Sequence, residues 1–114
     1  MEARAIHRYI GSSPRKMRLL IDLIRGMNVE KAIETLHFHK KHASKDAEKV
    51  LRSAVANLMN QDDTTRVEPS DLFVKEAFVN QGPTLKRISP APMGRAYRIR
   101  KRSCHLTIVV ASKV

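Results

Sequence analysis

The chain has 114 residues, 22 Lys and Arg against 11 Asp and Glu, and a formal net charge of +11, which allows one hydrophobic core but not two. No apolar run approaches the roughly 20 residues of a membrane-spanning helix. Met1-Glu2-Ala3-Arg4 lacks a signal-peptide h-region, and the single cysteine, Cys104, excludes an internal disulfide, so a soluble cytosolic protein is expected.

In chain order, Ala3 to Ile10 alternates weakly and reads as an edge strand. Gly11-Ser12-Ser13-Pro14 then reads as a helix start, with Ser13 as N-cap and Pro14 in the first turn. Met17, Leu20, Ile21 and Ile24 form the apolar stripe of that helix, Gly26 stops it, and Arg15, Lys16, Arg18 and Arg25 lie on its back and flanks. Asn28 is the expected cap of a second helix from Val29 to about Phe38, with Ala32, Ile33 and Leu36 facing inward. A third helix, from about Lys41 to Gln61, is expected from Ala43, Ala47, Val50, Leu51, Ala54, Val55, Leu58 and Met59, which recur mostly at steps of three and four. Gln61 to Thr65 reads as a loop and Pro69-Ser70-Asp71 as a turn. Leu72 to Asn80 and Leu106 to Ala111 are rich in β-formers and predict two strands.

Between those strands lies the most telling stretch. Glu76 is the last acidic residue, and after it come Lys86, Arg87, Arg95, Arg98, Arg100, Lys101, Arg102 and Lys113. By segment, the net charge is +4 over residues 1–25, −1 over 26–76 and +8 over 77–114. Gly82 to Arg102 therefore reads as a long basic hairpin whose arms continue the two flanking strands, with a tip broken by Pro90, Pro92 and Gly94. Ten residues of arm would reach roughly 33 Å. An arm of one charge sign cannot build a core and needs a polyanion to lie against. Its arginines outnumber its lysines, which favours planar, forked contacts with phosphates. A pI near 10.4 points the same way, making nucleic acid the expected partner and an anionic membrane the rival. Arg15, Lys16 and Arg18 sit near a helix start, where the dipole already favours an anion.

Other candidate chemistry is thin. In His37-Phe38-His39-Lys40-Lys41-His42 only His39 and His42 have ligand spacing, no acid or thiol completes a set, and the lysines would repel a cation, so no metal is expected. Asp62 and Asp63 are adjacent and tend to point apart; no nucleophile grouping, phosphate loop or cofactor motif is visible, so no enzyme is expected. Five aromatics and no Trp also argue against a base-stacking sheet.

Taken together, the stretches Ser13-Pro14-Arg15-Lys16-Met17-Arg18-Leu19, Asp22-Leu23-Ile24-Arg25-Gly26, Ala54-Val55-Ala56-Asn57, Gly82-Pro83-Thr84-Leu85-Lys86-Arg87, Gly94-Arg95-Ala96 and Arg98-Ile99-Arg100-Lys101-Arg102 resemble bacterial large-subunit ribosomal protein number twenty-two. The resemblance covers nearly the whole chain. It implies an α+β fold, three helices packed on a small antiparallel sheet with one long protruding basic hairpin, in a single domain: a globule of about residues 1–81 and 103–114 and a hairpin of about 82–102. It implies a cytoplasmic place in the large ribosomal subunit, with ribosomal RNA, neighbouring ribosomal proteins and the nascent polypeptide as partners, and no cofactor. The RNA-binding residues it implies are Arg15, Lys16, Arg18, Arg25, Lys86, Arg87, Arg95, Arg98, Arg100, Lys101 and Arg102. The tip it implies for the nascent-chain tunnel wall comprises Leu85, Lys86, Arg87, Pro90, Ala91, Pro92, Met93, Gly94, Arg95 and Ala96. Ala91 and Met93 stand where the family often has basic residues. The rival reading is an architectural DNA-binding protein using the arm in the minor groove.

Overall fold

The computed structural model describes residues 2–61 and 68–112; Asp62 to Thr65 of the expected loop, with the adjacent carboxylates, and Lys113 lie outside them. The described elements are strand β1 (Glu2–Ile10), helices α1 (Pro14–Ile24), α2 (Val29–His37) and α3 (Ala43–Gln61), strands β2 (Leu72–Gln81), β3 (Leu85–Pro90), β4 (Ala96–Lys101) and β5 (Cys104–Ser112), with short 3-10 turns at Pro69–Asp71 and Pro92–Gly94.

Helices α1 and α2 each begin where a side chain can satisfy a first-turn amide. Ser13 Oγ accepts from the Lys16 N–H at 3.3 Å, and Asn28 Oδ1 accepts from the Glu30 N–H at 3.0 Å. Helix α1 buries Pro14, Met17, Leu20, Ile21 and Ile24. The second helix buries Val29, Ala32 and Leu36, but Ile33 only in part, and stops one residue short of the expected Phe38. In α3, which starts at Ala43 rather than Lys41, the inward face includes Ala47, Val50, Leu51, Ala54 and Leu58. Met59, expected in that stripe, is 39% exposed because it sits past the edge of the buried arc.

The main sheet is antiparallel in the order β1-β5-β2, with β5 central. Leu106, Ile108 and Val110 of β5, Ala3 and Ala5 of β1, and Leu72, Val74, Ala77 and Val79 of β2 are buried, giving one apolar face covered by the helices: α3 on β1 and β5, α1 on β2. Cys104 is fully buried in this core, and burial pushes its thiol pKa up, so it packs as a small apolar residue. β1 is an edge strand of nine residues, longer than its weak alternation suggested. Its ladder with β5 is interrupted between His7 and Ile10, where Tyr9 adopts φ 60°.

β2 forms the other edge. Gly26, at φ 82°, turns the chain out of α1 and donates its N–H to Val74 O at 3.1 Å, while the Val74 N–H donates to Met27 O at 2.9 Å. The outward side of β2 is thus partly paired by a loop.

The basic hairpin departs from the expected single ladder. β2 pairs with β5 up to Gln81 and Cys104, and β3 pairs with β4 in a separate two-stranded sheet from Leu85 and Lys101 outward. The break falls at Gly82-Pro83-Thr84, since proline has no N–H to give a ladder. Two bonds bridge the gap: Gly82 N–H to Ser103 O at 2.9 Å and Ser103 Oγ–H to Pro83 O at 2.7 Å. A Cβ at position 82 would meet Ser103 Oγ at 2.5 Å and the Ser103 carbonyl carbon at 3.2 Å, which is why a glycine is needed there. The whole molecule measures 67 × 24 × 16 Å.

Candidate nucleic-acid interface

The arm's side chains follow from its register. Cross-strand partners share a face and neighbours along a strand alternate, so the pairs Lys86–Arg100 and Ile88–Arg98 lie on one face, and Leu85–Lys101, Arg87–Ile99 and Ser89–Tyr97 lie on the other. The first face has three cations around one isoleucine. The second mixes two cations with Leu85, Tyr97 and Ile99. None of residues 85–101 is buried, and Ile88 and Tyr97 are 75% and 63% exposed. Among the described residues both faces are therefore open, with no second layer on either.

None of the arm's cations meets a carboxylate among the described residues; the Arg87 guanidinium reaches only the neighbouring Lys86 carbonyl, at 3.0 Å. Unscreened like charges on so thin an element repel each other unless an anion intervenes.

The turn itself is short. Ala91 N–H donates to Arg95 O at 2.9 Å, and Met93 and Gly94 take φ 64° and 70°, the left-handed region that Gly94 tolerates without cost. Of the stretch expected at the tip, Pro90, Ala91, Pro92, Met93, Gly94, Arg95 and Ala96 occupy it. Leu85, Lys86 and Arg87 instead stand at the globule end, because Leu85 pairs with Lys101 at the foot of the ladder. Six strand residues separate the two ends, a span of roughly 17–20 Å.

The four cations expected on α1 divide in two. Arg15 and Lys16 are exposed and have no side-chain partner among the described residues. Arg18 donates from Nε and Nη2 to Val79 O at 3.4 and 3.1 Å, and Arg25 from Nε and Nη2 to Ala77 O at 3.2 and 2.7 Å, with Nη1 on Asp22 Oδ1 at 2.9 Å. With the irregularity between Val74 and Glu76, the register puts Val74, Ala77 and Val79 at equivalent positions, so their carbonyls face away from β5. Arg18 and Arg25 occupy two of these outward carbonyls and fasten α1 to the rim of β2. The same guanidinium geometry that suits phosphate also suits a main-chain oxygen, and sequence does not separate the two uses.

A cleft of about 600 Å³ opens between the arm's foot and the start of α1, lined in part by Tyr9, Leu85, Arg100, Lys101 and Arg102. Tyr9 was not legible as a site residue: a positive φ at a bulky side chain leaves no mark in the sequence.

Against His37, His39 and His42, no group of three or more possible ligands forms a metal site among the described residues; His37 Nδ1 lies 3.4 Å from Glu48 Oε1 instead. No described helix is long and apolar enough to cross a membrane.

Comparison with known proteins gives this geometry a family. Residues 5–111 match the family described as "Ribosomal protein L22p/L17e". "Large ribosomal subunit protein uL22" of Chlorobium phaeobacteroides (strain BS1) is 54% identical over 110 residues, 96% of this chain and 94% of that one. The protein of the same name from Solibacter usitatus is 49% identical over 113 residues, 99% and 98% of the two chains, and that from Bacteroides fragilis 53% over 104 residues, 91% and 76%. With a match that takes in both the globule and the arm, the chain belongs to the L22p/L17e family of structural ribosomal proteins, which are not enzymes.

Proposed function

We propose that this protein binds large-subunit ribosomal RNA through the arm and the start of α1, helps to hold that RNA folded, and contributes the tip of the arm to the wall of the nascent-peptide tunnel. The observation that carries the RNA part is the arm: seven cations from Lys86 to Arg102, no acid, and both faces open to solvent. The globule sits on the surface of the particle while the arm runs between RNA segments, and its cations take the place of counterions that would otherwise separate phosphates. Arg15 and Lys16, at a helix N-terminus, add a second anchor. The family resemblance supports the cytoplasmic large subunit and its proteins as the setting, and favours RNA over the duplex DNA of the rival reading.

Binding to large-subunit ribosomal RNA measured across a salt series tests the RNA part. Seven engaged cations give a log–log slope of roughly −5 to −6, and a slope shallower than about −2 would mean that the arm is a solvated loop. For the tunnel part, the natural thiol is buried and Met93 is 95% exposed, so Met93→Cys offers a single reactive sulfur at the tip. In translating ribosomes a thiol crosslinker on that residue is expected to capture the growing chain; capture of RNA alone would remove the tip from the tunnel.

A further inference from the structure

The cleft at the foot of the arm has the chemistry of a nucleotide site. Tyr9 stands at its edge, 69% exposed, on a backbone at φ 60° that disfavours any bulky residue. The conformation is held by His105: the Tyr9 N–H donates to His105 Nδ1 at 3.0 Å, and the two rings meet edge to face with centroids 5.0 Å apart. A sheet edge does not require such strain, and a strand could have run straight through this position. What the bulge achieves is to lift an aromatic ring out of the ladder and stand it beside the apolar side chains of Pro83 and Leu85. Arg100, Lys101 and Arg102 line the same cleft, and among the described residues no acidic one does. The N-terminus of the 11-residue helix α1 also opens onto it, through Ser13.

An aromatic face, an apolar wall and a one-signed cationic rim together suit a planar base carrying a phosphate, and they suit neither an acidic nor a purely apolar peptide as well. We propose that the cleft seats one unstacked nucleotide of the ribosomal RNA, its base stacked on Tyr9 and its phosphate on the Arg100 to Arg102 rim. The inference rests on the RNA-binding reading and adds to it a point at which the contact is to a base rather than to backbone alone. It also gives the strain at Tyr9 a purpose: the ring is positioned before RNA arrives, so little ordering is left to the binding step.

The test uses the full chain and a full-length large-subunit ribosomal RNA transcript, with binding measured over a salt series for wild type, Tyr9→Gly and Tyr9→Phe. Glycine accepts φ 60° freely, so Tyr9→Gly removes the ring without adding strain, and circular dichroism confirms that the variant is folded. The expected result is about tenfold weaker binding for Tyr9→Gly with an unchanged salt slope, and wild-type binding for Tyr9→Phe. Ultraviolet crosslinking of the wild-type complex, read by mass spectrometry, should place a nucleotide adduct on the peptide containing Tyr9. Two results would overturn the proposal: wild-type affinity for Tyr9→Gly, which would leave the cleft to a segment of a neighbouring protein, or an equal loss for Tyr9→Phe, which would assign the effect to the phenol hydroxyl. If wild type itself fails to bind the transcript, the RNA-binding reading falls instead.

Discussion

Arg15 in the first turn of α1 and Arg25 at its C-cap carry the same guanidinium, yet one has no partner among the described residues and the other holds β2. The two should respond differently to removal. Arg15→Ala with Lys16→Ala deletes cations that face solvent, so thermal stability is expected to stay within about 0.5 kcal/mol while the salt slope of RNA binding becomes shallower by roughly 1.5. Arg25→Ala takes a charged donor from Ala77 O and is expected to lower unfolding free energy by about 1 kcal/mol, at the low end because half of the side chain is in water. Denaturant titration beside the binding assay separates the two outcomes. A stability loss from the Arg15 and Lys16 pair would show that their side chains are structural after all.

At the scale of elements, β3 and β4 form a two-stranded sheet with no layer on either face among the described residues and a gap in the ladder at its foot. Such a hairpin is marginal by itself, since ordering costs about 1–2 kcal/mol per residue and no burial offsets it. Amide exchange in the free protein is therefore expected to be fast from Lys86 to Arg100 and slow in β5, with the arm slowing on addition of ribosomal RNA; slow exchange without RNA would show the arm to be rigid alone. The helices, their caps and the central strand were legible because each rests on a local rule: Ser13 before Pro14, Asn28 before Val29, and Leu106, Ile108 and Val110 on one face. The split of the hairpin was only half legible. Gly82 and Pro83 are visible signals, but that Gly82 is pressed against Ser103 depends on a partner 21 positions away. The fates of Arg18 and Arg25 were hidden for the same reason, as their acceptors lie on β2, 61 and 52 positions on.

Over the whole molecule, charge and shape divide the labour. Nearly all the net charge sits on the arm and the first 25 residues, while residues 26–76, at −1, supply two of the three helices and the first half of β2. A free copy, not yet on RNA, keeps other copies away by a net charge of +11, but that repulsion fades within about 10 Å at 0.1 M salt and within about 3 Å at 1 M. Close in, what counts is whether a strand is available to pair with. Two guanidinium groups and the loop after α1 leave β2 few open carbonyls to offer a second chain, and a charged plug of this kind guards a sheet edge against strand addition. Arg18→Ser with Arg25→Ser is accordingly expected to sediment as a monomer at low salt and to self-associate above about 0.5 M, where the Debye length has fallen to roughly 4 Å, while wild type stays monomeric throughout. The two arginines that sequence assigned to RNA would then be what keeps the protein soluble until it reaches RNA.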